Sequence, residues 1–194
     1  MKKDRFKMIA SGYLMLVRGG KILLSRRFQT GYEDGNYSLP AGHIEDNETL
    51  TDGTCREVKE ETGIILRPSD LRLVHVMHRK HIDIRMDFFF MATLSRYTPK
   101  NLEPEKCDDL RWFPLTRLPV NTIAYIRAAV QCYRKKNVYS EFGWEGSGQE
   151  RLQPPGSAGI CQKFNNLKPR DARYDCHADE EEIPCAQRYD VEQA

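Results

Sequence analysis

The stretch from Gly42 to Ile64 constrains this chain more than any other. It reads Gly-His-Ile-Glu-Asp-Asn-Glu-Thr-Leu-Thr-Asp-Gly-Thr-Cys-Arg-Glu-Val-Lys-Glu-Glu-Thr-Gly-Ile. Thr49 to Thr62 has helical character. Glu48 and Asp52 lie near the N-terminal end, where the helix dipole favours negative charge, and Gly63 is placed to stop the helix. Residues three and four apart share a helix face, so Glu57, Glu60 and Glu61 crowd together. Three such carboxylates repel one another unless a cation sits among them. Hard oxygen donors of this kind suit Mg2+, with Mn2+ as a substitute. Leu50, Thr54 and Val58 face elsewhere and can pack the helix on a sheet. The planar fork of Arg56 can fix the Glu48 carboxylate. A bare charge run is usually a solvated helix face, but Arg56, Glu48 and the flanking glycines at fixed spacing argue otherwise. Gly53 costs roughly 1 kcal/mol relative to Ala inside a helix, and Cys55 stands where Ala is expected. Both are read as tight packing against a sheet, and Cys55 is not read as a nucleophile.

The flanking segments supply the sheet. Phe6 to Val17 alternates, Arg18-Gly19-Gly20-Lys21 reads as a hairpin turn, and Ile22 to Arg26 is the returning strand. A polar loop from Gln29 to Asn36 leads to a short strand at Tyr37 to Pro40. Leu71 to His78 and Ile84 to Leu94 read as two long strands, and Leu110 to Phe113 as a short one. Asn121 to Lys136 is an amphipathic helix with Ile123, Ile126, Val130 and Tyr133 at helical spacing and Asn121 as its cap. Strands on both sides of one helix, then a closing helix, make an α/β fold, an α/β/α sandwich around a mixed sheet.

From about Glu145 the composition shifts to Pro, Gly, Gln, Asn and charge, with scattered apolars such as Ile160, Phe164 and Tyr174. A chain of 194 residues therefore divides into a domain at 5–144 and a poorly ordered, low-complexity tail at 145–194. A partner-docking arm or substrate lid is the alternative for the tail. The net charge of +2 is too small to suggest nucleic-acid wrapping. No apolar run is long enough to cross a membrane, and no signal-peptide block follows the basic N-terminus. The six cysteines lie far apart, none in a Cys-x-x-Cys pair. Reduced thiols in the cytoplasm are expected, and Cys161, Cys176, His177 and Cys185 fit no usual zinc spacing.

Gly42, Glu48, Arg56-Glu57, Glu60-Glu61, Gly63 and the apolar Ile64 together resemble, without a mismatch, the signature box of the Nudix hydrolases. The resemblance covers about residues 5–144 and implies the same sandwich fold. It also implies a hydrolase that splits a phosphoanhydride in a nucleoside diphosphate linked to another group, using water and divalent metal. Glu57, Glu60 and Glu61 then look like metal ligands, joined by a backbone carbonyl at Ala41 or Gly42. Glu48 and Arg56 look like their support. Ala41 stands where the family usually has glycine, which limits backbone freedom there. The water's proton would go to Glu61 or to an acidic residue on the loop before the last sheet strand, Glu103 or Glu105, with Glu105 weighed as a member of the site.

Substrate identity lies outside the box. Arg79 stands where the ADP-ribose branch carries proline, and Lys80, His81 and Ile82 stand where the dinucleoside-polyphosphate branch carries tyrosine. The upstream block of the coenzyme A branch is missing. What remains resembles the MutT-like branch, which acts on nucleoside triphosphates, including oxidised purine forms. The alternatives are a nucleotide sugar or dinucleotide, or a nucleotide sensor without turnover. The sensor is disfavoured because every box carboxylate is kept. Messenger-cap removal finds little support in the modest charge. Arg26, Arg27, His78, Arg79 and Arg85 are candidate phosphate ligands, and Phe28, Tyr32 or Tyr37 could stack a base. Core packing is the competing reading for those aromatics. His75, His78 and His81 alternate faces along a strand and make no metal triad. The oligomeric state is left open.

Overall fold

The computed structural model describes residues 6–92 and 98–144. The expected tail at 145–194 lies outside the described residues, as does Leu94 at the end of an expected strand. Eight strands form one mixed sheet: β1 (Ile9–Arg18), β2 (Lys21–Arg27), β3 (Tyr37–Ser38), β4 (Ala41–His43), β5 (Arg72–Lys80), β6 (Ile84–Ala92), β7 (Cys107–Pro114) and β8 (Tyr139–Phe142). Helix α1 spans Leu50–Thr62 and α2 spans Ala124–Arg134.

Strand β1 organises the sheet. Along one side it pairs in parallel with β6, from Ile9↔Arg85 to Leu16↔Ala92. Along the other it meets β4 first, through Ser11↔His43 and Tyr13↔Ala41, and β2 only at its far end. The β1–β2 turn uses Gly19 and Gly20 at φ +54° and +72°, the left-handed backbone that a two-residue hairpin turn requires. Strand β2 then runs beside β7 and β3. The sheet therefore forks between β4 and β2, and that fork opens a cleft.

Alternation along the strands sorts the core into two layers. Tyr13, Met15, Ile22, Leu24, Met77 and Phe89 pack with Ile126, Ala129 and Val130 of α2. Leu14, Leu16, Leu23 and Ala92 pack with Val58 of α1 and with Ile64 and Leu66 beyond it. The helices thus cover opposite faces, as expected of the sandwich. Helix α1 approaches closely because Gly12 lies beneath it: a Cβ there would fall 2.0 Å from Thr54 Oγ1.

Both ends of α1 follow the sequence reading. The Thr49 hydroxyl accepts from the Asp52 amide at 3.1 Å, and Gly63 takes φ +69° with its amide bonded to the Lys59 carbonyl. The expected cap of α2 requires correction. Asn121 lies before the helix and donates its side-chain amide to the Gly35 carbonyl at 2.7 Å, while Ile123 occupies the N-cap without a side-chain bond.

Beneath the α2 layer runs a buried polar set. Arg79 and Asp87, 3% and 0% exposed, form an ion pair, and the Arg79 guanidinium lies 4.0 Å from the centre of the Tyr125 ring. Further along β5 His75 is enclosed as well, 2.8 Å from the Asn137 carbonyl and 2.9 Å from the Ser140 hydroxyl.

Candidate active site

Helix α1 presents its acidic face to β4 and the fork. Gly42 is the point of closest approach: a Cβ on it would lie 1.9 Å from Glu57 Cδ and 2.2 Å from Oε1, so only glycine leaves room for that carboxylate. One turn further on, Glu61 Oε2 accepts from the Ala41 amide at 3.1 Å. Ala41 thus meets Glu61 through its N–H.

Arg56 ties the surrounding carboxylates together. Its Nε and Nη2 donate to the two oxygens of Glu48 at 3.2 and 2.9 Å, and its Nη1 donates to Glu57 at 3.0 Å and to Glu60 at 3.4 Å. Glu48 also accepts from the Glu45 amide at 2.7 Å. The Arg56 bond, then that amide, hold the Glu48 carboxyl below its ordinary range. Gly53 finds its reason here: a Cβ would lie 2.5 Å from Glu48 Oε1 and 2.9 Å from the Ile44 side chain. Its absent side chain thus makes room for the Arg56 clamp, whereas the sequence attributed it to the sheet. Cys55 does pack on the α1-side core.

A cleft of about 470 Å³ occupies the fork. Glu57, Glu61, Ala41 and Gly42 line it, with Glu103 and Lys106 on the loop whose Leu102 amide bonds the Glu61 carbonyl. Glu60 does not line it; its side chain is 51% exposed beside Arg56. On the loop before β7, Glu103 rather than Glu105 lines the cleft, bonded to Lys106 at 2.7 Å. Glu105 is exposed, because the turn that bonds the Lys106 and Cys107 amides to the Glu103 carbonyl directs it outward.

Burial pushes the Glu61 carboxyl up to about 8; the Ala41 amide offsets this only in part, and the negative charges of Glu57 and Glu103 add to it. Burial also raises Glu57, against the opposing pull of Arg56. Among the described residues no three His, Cys, Asp or Glu side chains converge tightly enough to clasp an ion as they stand. Nor does any Lys, Arg or His among them lie within ion-pair distance of Glu61. A half-buried carboxylate with no cation at ion-pair distance, a second above Gly42 and adjacent backbone oxygens make a donor set that fits a hard divalent cation.

Of the expected phosphate ligands, Arg26, Arg27 and Arg85 line the cleft. Arg26 pairs with Asp108 at 2.7 Å, Arg27 donates to the Tyr32 carbonyl at 2.7 Å, and Arg85 Nη1 meets His43 Nε2 at 2.9 Å. Two placements are corrected. Arg79 points inward to Asp87, since β5 alternation puts it on the core face. His78 points to the other face, its ring 4.5 Å from that of Trp144. Of the aromatics, Tyr32 lines the cleft, Phe28 does not, and Tyr37 is core with its hydroxyl bonded to Asp109. Sequence reading missed Ser11, Tyr13, His43, Lys106 and Tyr125 as lining residues. Only the period-2 pattern of β1 carried a hint of the first two. Cys55 and Cys107 are free thiols, and burial raises both, which keeps them protonated and poor nucleophiles.

The NUDIX domain family model matches residues 7–131. Nudix hydrolase 6 of Arabidopsis thaliana is 31% identical over 85 residues, 42% of this chain and 29% of that protein. The NAD-capped RNA hydrolase NudC of Vibrio atlanticus is 36% identical over 126 residues, 61% of this chain and 44% of that protein. The chain thus spans less than half the length of either curated relative. The crystal structure of a MutT NUDIX hydrolase from Burkholderia pseudomallei superposes with a TM-score of 0.60 at 27% identity, covering 65% of this chain and 98% of that one. The family match takes in the forked sheet, the acidic helix and most of α2, and on that extent the chain belongs to the NUDIX domain family.

Proposed function

We propose that residues 5–144 hydrolyse a phosphoanhydride bond in a nucleoside polyphosphate, converting a nucleoside triphosphate to its monophosphate and pyrophosphate with Mg2+. The observation that carries this reading is the pairing of Glu57 over Gly42 with Glu61 at the Ala41 amide, both opening on one cleft. Glu57 and Glu61 would hold the cation with a backbone oxygen at Ala41 or Gly42, and Glu60 would join them by turning from Arg56. A bound cation supplies neutralisation of phosphate charge and a more acidic water. Arg56 fixes Glu57 from behind through the Glu48 clamp, so the carboxylate is oriented before substrate arrives. Arg27, Arg85 and Lys106 give the cleft positive charge for the phosphate chain. Glu61 or Glu103, both lining the cleft, takes the proton from the attacking water. Water displaces pyrophosphate at phosphorus directly, and no side chain forms a covalent bond.

A second reading, hydrolysis of a dinucleotide, draws on the 36% identity to a NAD-capped RNA hydrolase. No helix among the described residues is long and apolar enough to cross a membrane, and the free thiols suit a reducing cytoplasm. The test is a panel of triphosphates, oxidised triphosphates, ADP-ribose, NAD and capped RNA with Mg2+, scored by specificity constant. Triphosphates should rank first and yield pyrophosphate, and Glu57→Gln or Glu61→Gln should lower the rate about 100-fold or more. Undiminished turnover in both variants overturns the site; preference for NAD or capped RNA overturns the substrate.

A further inference from the structure

Strand pairing lays out the cleft floor as a lattice, since partners across a register share a face. One row reads Ala41, Tyr13, Phe89, and the next reads His43, Ser11, Asp87. Ser11 is the smallest side chain of its row, and it makes a notch between Tyr13 and the His43–Arg85 pair. It is 3% exposed and belongs to the cleft floor. Its hydroxyl oxygen is sealed from bulk water and has no hydrogen-bond partner among the described residues. The polar groups beside it are committed elsewhere. Asp87 is taken by Arg79, and His43 Nε2 by Arg85. A buried hydroxyl without a partner costs about 1–3 kcal/mol of lost hydration, a cost that a ligand's polar group relieves.

The position of the notch indicates which part of a ligand reaches it. Glu61 is anchored at Ala41, and Ser11 lies one row further along β1, about 7 Å away at the rise of a strand. A group held there is displaced from the anhydride by roughly the span of a sugar. The surrounding surfaces are flat: the rings of Tyr13, Tyr32 and Tyr125, and the planar Arg85–His43 pair. Such walls suit a heteroaromatic ring.

We propose that Ser11 is a specificity-determining residue whose hydroxyl hydrogen-bonds the polar edge of the substrate's nucleobase. A χ1 rotation between staggered positions redirects the hydroxyl from the sheet to the cleft. The hydroxyl both donates and accepts, so it tells a base that carries an exocyclic oxygen or amine from one that lacks it. This rests on the nucleotide reading of the cleft, but it concerns recognition and not turnover.

The test compares wild type with Ser11→Ala by calorimetric titration of AMP, GMP, CMP, UMP and the monophosphate of unsubstituted purine riboside, without metal. Wild type should prefer one of the four natural bases. Ser11→Ala should bind that one about three- to tenfold more weakly, the scale of one neutral hydrogen bond, while its Tm stays level or rises because an unpartnered polar group has gone. The unsubstituted purine should bind both proteins equally. Equal affinities of the two proteins for every probe overturn the proposal. So does an equal loss for the unsubstituted purine, which would place the contact on ribose or phosphate. Hydrolysis of the triphosphate panel is scored separately. Turnover without base preference sinks this inference alone, and absent turnover with Ser11-dependent binding sinks the catalytic reading alone.

Discussion

At the residue scale, two glycines on either side of the acidic face do different work. Gly42 gives way to Glu57, and Gly53 gives way to Glu48. From sequence, Gly53 reads as a helix defect excused by packing on the sheet, because helix propensity is local and the Glu48 carboxylate arrives from outside the helix. Gly53→Ala sets two effects against each other. The helix gains about 1 kcal/mol from the better former. The new methyl meets Glu48 Oε1 at 2.5 Å, and that oxygen is not free to yield, since Arg56 and the Glu45 amide both hold it. The expected outcome is a thermal stability within about 1 kcal/mol of wild type and a kcat/KM at least tenfold lower, as Arg56 loses its alignment on Glu57. Circular-dichroism melting and steady-state kinetics on one preparation check it; full activity would show that the clamp is idle.

At the element scale, the long strands and α1 were legible because their patterns are local: alternation in β1, apolar runs in β5 and β6, and acidic residues at the start of the helix with Gly63 at its end. Strands β4 and β8 were not. Each is three or four residues long and exists through pairing with a distant segment, β4 with Ser11–Tyr13 and β8 with Val76–Arg79. What fixes β8 is the side chain of His75. Its Nδ1 faces the Asn137 carbonyl, so that nitrogen donates, and Nε2 accepts from Ser140. Burial holds the imidazole below its ordinary value of 6.5, with the Asn137 carbonyl opposing. The unfolded chain therefore takes up the proton more readily. The stability this group confers is complete above 6.5 and is lost as pH falls through the lower folded value. His75→Gln keeps one of the two bonds and removes the titration, so it should cost about 1–3 kcal/mol at pH 7.5. That gap should narrow by pH 5.5. Urea unfolding at the two pH values measures it, and a gap of constant size would exclude His75 as the linked group.

At the scale of the whole molecule, the site is a consequence of topology. The sheet forks because β1 hands its outer edge from β4 to β2, and the bond from the Leu102 amide to the Glu61 carbonyl brings the Glu103–Lys106 loop to the same cleft as the acidic face of α1. Motif spacing disclosed the acidic face but not the turn of this loop, which is why Glu105 was favoured over Glu103. The fold bears a burden for the arrangement, since Glu61 is half-buried with no cation at ion-pair distance among the described residues and is raised to about 8. A cation that binds only the folded protein should relieve that burden and raise stability by RT ln(1 + [L]/Kd), about 1.4 kcal/mol at ten times Kd. Glu61→Gln removes the charge and keeps the shape. It should melt at or above the wild-type temperature in EDTA, yet gain nothing from added Mg2+ or Mn2+, whereas wild type gains several degrees. Glu105→Gln, exposed on the far side of its turn, should respond as wild type does. If Glu61→Gln is stabilised by the cation as strongly as wild type, the ion binds elsewhere. If it melts well below wild type in EDTA, the buried carboxyl supports the fold, and its place in the cleft is structural.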